Sequence, residues 1–202
     1  MLIVNGLLAT IVITLLSLIF GSLLGTGIYM MTQSRHRWVQ WAAQFYRYMV
    51  RGTPLLVLLL FVFYVVLNEG NGIVAAVIAF SINFSGLACT MIQTSIATVG
   101  RDQIEAGRAL GFTKMQNLRY IVVPQAMKNA LPTFKSHATT MVKSTAVVGY
   151  VAIMDLTRAM VTLREGSGQS VVPLLVVTTI YFILAWLICQ VLDRIAKRTT
   201  QI

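Results

Sequence analysis

Residues 5–31 read NGLLATIVITLLSLIFGSLLGTGIYMM, a run of the chain that contains no charged residue. A membrane-spanning helix needs roughly 20 predominantly apolar residues, so this run is long enough to cross a bilayer. It is too long for the apolar core of a signal peptide, and no small-residue cleavage site precedes the basic cluster at residues 35–37. We therefore predict that residues 5–31 form a true membrane span.

The composition of the whole chain indicates the same environment. Of its 202 residues, 57% are hydrophobic and 11% are charged, whereas soluble domains usually carry about 25% charged residues. A soluble protein of this length could not bury so much apolar surface. The net charge of +10 does not indicate a nucleic-acid partner, because the basic residues lie between long apolar runs.

Four further segments complete the predicted architecture, an all-α polytopic membrane protein with about five transmembrane helices. The spans are expected at about residues 5–31, 54–67, 73–98, 129–154 and 171–192. Residues 100–128 are charged and amphipathic, so we expect them to form a loop outside the bilayer. The fourth span is the least hydrophobic, because it contains Lys135, His137 and Lys143.

Small residues recur at every fourth position of the first span, at Ser17, Gly21 and Gly25. This spacing lets a second helix approach closely. The alternative is that these glycines have no packing role, because glycine is common in membrane helices in general. We predict that the small-residue face of the first span packs against another helix.

The distribution of Lys and Arg orients the spans. Basic residues are concentrated in residues 32–53, in residues 98–135 and in the tail after residue 192, whereas the opposite side of a five-span chain has only Arg158 and Arg164. Positively charged loops remain in the cytoplasm. We therefore expect the N-terminus outside and the C-terminus in the cytoplasm. Four amphipathic aromatic residues then lie near the cytoplasmic interface: Trp38, Trp41, Tyr46 and Tyr48.

The cytoplasmic segment between the third and fourth spans contains a recognisable pattern. Residues 103–111 read QIEAGRALG, and residues 121–126 read IVVPQA. This resembles the EAA loop of permease subunits of binding-protein-dependent ABC importers, in which Glu-Ala-Ala precedes a spaced Gly and then Ile-x-Leu-Pro. The spacing is kept here, with Gly107 in place of the second Ala and Val123 in place of the Leu.

The resemblance implies that residues 100–128 form a coupling loop whose short helix docks on an ATPase subunit. The positions that it assigns to this role are Glu105, Ala106, Gly107, Arg108, Ala109, Gly111 and Pro124. Small residues let such a helix sit deep in a groove, and Gly111 can supply the left-handed residue that ends it. The alternative is an ordinary amphipathic helix on the membrane surface, which explains the charges but not the spacing to Pro124.

A second pattern, formed by Arg51, Gly52, Thr53 and Pro54, is followed by two leucines. It resembles the Arg-Gly-Thr-Pro-Leu-Leu signature of the polar amino acid (His/Glu/Gln/Arg) uptake family of ABC permeases. The resemblance covers nearly the whole chain and implies one ABC transporter type-1 transmembrane domain over residues 1–202. A permease for another small solute, such as methionine, is the alternative.

The chain departs from that family at charged positions. Thr90 and Gln93 stand where the family often carries Glu and Arg, and Ser144 replaces an acidic residue after the retained Lys143. We assign these four residues to a tentative substrate pathway. Lys143 either meets a substrate carboxylate or bonds backbone carbonyls at a helix break. It shares a helix face with Lys135 and Thr139, which should point into protein or water.

The resemblance also implies an assembly in the cytoplasmic (inner) membrane of a prokaryote. Two permease subunits, identical or different, form the pathway, an external binding protein delivers the amino acid, and cytoplasmic ATPase subunits bind ATP and Mg. We expect this chain to bind no cofactor and to have no ATPase site, because Gly107, Gly111 and Lys114 lack the spacing of a phosphate-binding loop.

Two other classes of protein remain as rivals. Ser85 and His137 could form the Ser–His dyad of an intramembrane protease, but the Gly expected two residues before the Ser is absent and His137 is expected near the cytoplasmic end of its span. A membrane scaffold without transport activity is the other. We predict no metal site, because Cys89, Cys189 and His137 have no companion ligands at suitable spacing.

Overall fold

The computed structural model describes the backbone of residues 2–151, 153–167 and 171–200, and the side chains of residues 3–151, 153–165 and 171–194. Within these ranges the regular secondary structure is entirely helical, which confirms the predicted all-α class. The α-helices are α1 (Leu2–Thr32), α2 (Arg37–Gly52), α3 (Leu55–Phe61), α4 (Gly72–Ala97), α5 (Arg101–Ala109), α6 (Lys114–Asn117), α7 (Val123–Ser144), α8 (Leu156–Ser167) and α9 (Val171–Thr200). π-Helical turns at Val62–Val66 and Leu118–Val122 and a 3₁₀ segment at Thr145–Val151 extend three of them.

The described helices provide three to five candidate membrane spans. Three are long and apolar enough to cross a bilayer by themselves: Ile3–Thr32, Gly72–Ala97 and Val171–Arg194. Two bent pairs add one span each if each pair crosses as a unit: Arg37–Gly52 with Leu55–Val66, and Lys114–Val151 with Leu156–Glu165. The side chains of Lys197 and Arg198, which contribute to the predicted orientation, lie outside the described residues.

The region of the predicted second span contains a sharp corner. The seven residues of α3 and the five of the π-helical turn after it extend about 18 Å at 1.5 Å per residue, which is less than the roughly 30 Å of a hydrocarbon core. The preceding helix, α2, meets this segment at 105°. Residues 32–53, expected only as a basic cytoplasmic segment, therefore contain a helix that the sequence prediction missed.

The Arg-Gly-Thr-Pro pattern forms this corner. Gly52 is the last residue of α2, and Thr53 then turns into an extended conformation while its hydroxyl donates a hydrogen bond to the Met49 carbonyl at 2.8 Å. Pro54 directly precedes α3, where the lack of a backbone N–H has no cost. The pattern therefore ends one helix and starts the next.

The centre of the fold is the contact between α1 and α4. A Cβ atom placed on Gly21 would lie 2.8 Å from Cδ1 of Phe84, and one placed on Gly25 would lie 2.6 Å from the Cβ of Ala88. The Ser17 hydroxyl donates a 3.4 Å hydrogen bond to the Val77 carbonyl. The predicted packing of the small-residue face is thus confirmed, and its partner is α4.

Of the three α7 residues expected to share one polar face, two contact another helix and one is exposed. Lys135 forms a 2.7 Å ion pair with Asp193 of α9, and the Thr139 hydroxyl lies 3.4 Å from the Cys189 sulfur. These two positions face protein, as expected. Lys143 is exposed, and no hydrogen bond or ion pair joins it to the described part of the chain.

Candidate functional site

The predicted coupling loop folds as α5 and α6, and the π-helical turn at Leu118–Val122 connects them to α7. Ile104 of α5 packs against a small cluster of Val99, Val122 and Ala126. The side-chain amide of the buried Asn117 donates a hydrogen bond to the Ile104 carbonyl at 2.7 Å. These contacts fix α5 against the start of α7, so the two helices are mechanically connected.

Gly107 provides the closest contact in this loop. A Cβ atom at this position would lie 2.6 Å from Cδ1 of Ile121 and 3.0 Å from the side-chain oxygen of Asn117. The absence of a side chain therefore lets α5 lie directly on the π-helical turn. Both neighbouring atoms are the ends of flexible side chains, so the Ala of the family pattern fits here after a small shift.

The helix α5 ends in a Schellman motif centred on Gly111. The N–H of Phe112 donates to the carbonyl of Gly107, and the N–H of Gly111 donates to the carbonyl of Arg108, both at 3.0 Å. Gly111 has a φ of +83°, a conformation that costs other L-residues about 1–2 kcal/mol. The expectation that Gly111 supplies the left-handed end of this helix is confirmed.

The outer surface of α5 is free in the single chain. Four of the residues assigned to coupling are exposed: Glu105, Ala106, Arg108 and Ala109. Two large apolar side chains beside them are also exposed, Leu110 to 78% and Met115 to 69%. Small, charged and apolar groups together form a surface suited to a protein partner. Pro124 lies apart from this surface, in the first turn of α7 after the π-helical turn.

The four tentative pathway residues are not brought together. Asn129 of α7 bonds Thr98, the residue after α4, at 2.8 Å, and Phe134 contacts Phe84 at a ring separation of 6.1 Å, so the two helices run antiparallel. Thr90 and Gln93 therefore lie towards one end of this helix pair. Lys143 and Ser144 lie at the other end, where α7 finishes.

The structure does not form the Ser–His dyad of the rival hypothesis. The buried Ser85 hydroxyl lies 2.7 Å from the Ile82 carbonyl and 2.8 Å from the Tyr46 hydroxyl. In the described residues, no hydrogen bond connects it to His137. The ring of His137 lies 6.5 Å from that of Phe84, beside the middle of α4, so its expected position near the end of a span is wrong.

A groove that the sequence interpretation missed lies along α2. It is lined by Gln44, Arg47, Tyr48, Arg51 and Gly52. These positions recur every three or four residues, which places them on one helix face. Exposed aromatic side chains border this face, with Trp41 and Phe45 stacked at 5.5 Å. The spacing of the polar residues Gln44, Arg47 and Arg51 is visible in the sequence and could have indicated this helix.

One side chain of the groove contacts α4. Nη1 of Arg47 donates a 2.9 Å hydrogen bond to the side-chain oxygen of Gln93. Gln93, a predicted pathway residue, therefore contacts a side chain of this groove, whereas the Thr90 hydroxyl bonds its own helix at the Gly86 carbonyl, 3.0 Å away.

Comparison with known proteins gives consistent matches along the chain. Residues 17–201 match the family of the binding-protein-dependent transport system inner membrane component. A putative glutamine transport system permease protein of Rickettsia conorii is 29% identical, over 97% of this chain and 92% of that protein. An L-cystine transport system permease protein of Bacillus subtilis is 31% identical, over 94% of this chain and 81% of that protein.

Among solved structures, the fold is similar to the crystal structure of an amino acid ABC transporter with histidines. The TM-score is 0.89 at 32% sequence identity, and the match covers 98% of this chain and 94% of the other. The similarity therefore includes α1 and α9 as well as the loop that contains α5.

Proposed function

We propose that this chain, which belongs to the family of binding-protein-dependent transport system inner membrane components, carries a polar amino acid across the cytoplasmic membrane. Its relatives make it an ABC importer permease of the amino-acid class. The observation that carries the proposal is the full-length match in both sequence and fold to amino-acid permeases. The protease hypothesis loses its support, because Ser85 bonds Tyr46 rather than His137.

We propose that the N-terminus lies outside and the C-terminus in the cytoplasm. The concentration of basic residues in residues 32–53 and 98–135 supports this orientation. It places α5 in the cytoplasm and the turn between α3 and α4 outside. ATP and Mg then bind to the partner ATPase subunits, and a second permease subunit and an external binding protein complete the importer.

The helix α5 is the proposed contact with the ATPase. Its outer surface is exposed, whereas its inner surface is fixed to α7 through Ile104, Gly107 and Asn117. A displacement of α5 by the closing ATPases is therefore transmitted to α7 instead of being absorbed by a flexible loop. Because α7 packs against α4 and α9, this displacement reaches the membrane helices that form the pathway.

Disulfide crosslinking tests the proposed contact. In a chain whose Cys89 and Cys189 are replaced by serine, Ala106→Cys should crosslink to a single cysteine in the surface groove of the ATPase subunit. The exposed Tyr150→Cys, which the proposed topology places on the external side, is the control and should not crosslink. Crosslinks of equal yield at both positions, or none at Ala106→Cys across a scan of the ATPase groove, would refute the assignment of α5.

A further inference from the structure

The groove along α2 lies beside the middle of a membrane-spanning helix. A Cβ atom on Gly86, near the centre of α4, would lie 3.2 Å from Cγ1 of Val50 and 3.9 Å from Cγ of Arg51. The hydroxyl groups of Tyr46 and Ser85 are 2.8 Å apart at the same level. The C-terminal half of α2 is therefore packed at the depth of the bilayer interior, not on its surface.

The length of α3 and the π-helical turn after it also indicates that the groove lies within the bilayer. The seven residues of α3 and the five of the π-helical turn separate the corner at Pro54 from the turn before α4. At 1.5 Å per residue this is about 18 Å, which is more than half of the roughly 30 Å hydrocarbon thickness. Arg51, three residues before Pro54, consequently stands inside the membrane thickness.

The groove contains two guanidinium groups with incomplete pairing. Arg47 uses Nη1 to bond Gln93, but its Nε is buried without a hydrogen-bond partner among the described residues. The guanidinium of Arg51 forms no hydrogen bond or ion pair with the described residues. Arginine is not deprotonated in proteins, and a charge at membrane depth must face water or find a partner.

The chain supplies no obvious anion for these groups. Glu69 is the only acidic residue among the first 101, and it follows α3, at the far end from the groove. Of the remaining acids, Asp102 and Glu105 lie in α5, Asp155 bonds the N-terminus of α8, Glu165 lies in α8 and Asp193 pairs with Lys135. An anion that neutralises Arg47 and Arg51 must therefore come from outside the chain.

We propose that this groove binds the carboxylate of the amino acid in transit, and that the transporter therefore takes neutral and acidic amino acids in preference to basic ones. The inference rests on the proposed function and adds the charge class of its substrate. A guanidinium binds a carboxylate through two parallel hydrogen bonds. A substrate with a cationic side chain meets two arginines and no acid in this groove, so it is disfavoured by repulsion.

Uptake by the complete importer, reconstituted in liposomes with its ATPase and binding protein, tests the proposal. L-Glutamine, L-glutamate, L-cystine and L-arginine serve as separate radiolabelled probes. Arg51→Gln should lower ATP-dependent uptake of the best probe at least about tenfold, because the paired, charge-assisted hydrogen bonds to the substrate carboxylate are lost. Arg51→Lys keeps the charge but not the paired geometry, and it should retain intermediate uptake. Arg37→Gln, on the same helix but outside the groove, is the matched control and should transport normally.

Thermal unfolding of each purified variant separates a loss of binding from a loss of folding. Unchanged uptake in a folded Arg51→Gln variant, or preferred uptake of L-arginine by the wild type, would overturn the carboxylate assignment. Uptake that depends on Arg51 only when anionic phospholipid is present would identify a lipid phosphate as the anion and would also overturn it. If the wild type transports no polar amino acid at all, the four probes included, the proposed function itself fails, and the inference fails with it.

Discussion

Replacing Gly25 by leucine is expected to destabilise the folded protein strongly and to lower its yield from the membrane. A Cβ atom at this position would lie 2.6 Å from the Cβ of Ala88 and 2.7 Å from the backbone carbonyl oxygen of Ser85. The backbone of α4 cannot give way locally, so α1 would have to move away from it along its length. Overpacking of this kind costs about 1–3 kcal/mol, a large part of the 5–15 kcal/mol that holds a typical domain folded.

A second glycine in the same helix provides the matched control. In the part of the chain that the structure describes, a Cβ atom on Gly27 would have no neighbour within 4 Å, so Gly27→Leu adds the same side chain on the exposed side of α1 and should leave folding unchanged. The yield of monodisperse protein in detergent and its thermal unfolding midpoint would measure both variants. Equal yields and midpoints for the two would show that the α1–α4 contact does not depend on small residues.

Replacing Gly111 by valine is expected to uncouple transport from ATP hydrolysis without affecting membrane insertion. Gly111 has a φ of +83°, and no described residue lies within 4 Å of an added Cβ, so the effect arises from backbone conformation and not from a clash. A left-handed residue costs about 1–2 kcal/mol for ordinary L-amino acids, and a β-branched residue is among the least tolerated. The Schellman motif should open, which displaces the end of α5 from the ATPase.

Asparagine is the informative control at this position, because it adopts the left-handed conformation more readily than valine does. In reconstituted importer, Gly111→Val should reduce ATP-dependent uptake at least about tenfold, which corresponds to roughly 1.4 kcal/mol. Gly111→Asn should retain most of the uptake. Similar activity in the two variants would mean that the positive φ of residue 111 has no role in coupling.

The parts of the fold that were predictable from the sequence are those with long, uninterrupted apolar runs. α1, α4 and α9 have such runs, and each contains a stretch that is long enough to cross a bilayer. The corner between α2 and α3 was not predictable by this criterion, because α2 carries several arginines and α3 is short. Its position depends on contacts with α4, such as Val50 against Gly86, which no local pattern encodes.

The coupling loop was largely predictable from the sequence, whereas the grouping of the pathway residues was not. Glu105 and Gly111 belong to a local spacing that is recognisable in the sequence, whereas the support from Asn117 depends on the way the chain folds back on itself. Thr90, Gln93, Lys143 and Ser144 were grouped by their departures from a family pattern. Because α4 and α7 run antiparallel, the four residues occupy opposite ends of the helix pair. Of the four, Gln93 contacts a groove residue, Arg47 of a third helix, through a hydrogen bond.

Amino-acid uptake by the reconstituted importer tests the central claim most directly. The permease, the ATPase and the binding protein would be combined in sealed liposomes, and accumulation of radiolabelled polar amino acids would be followed with and without ATP. The account predicts accumulation that requires ATP, the ATPase and the binding protein together. Failure of the permease to associate with the ATPase, with no ATP-dependent uptake of any amino acid, would contradict the account.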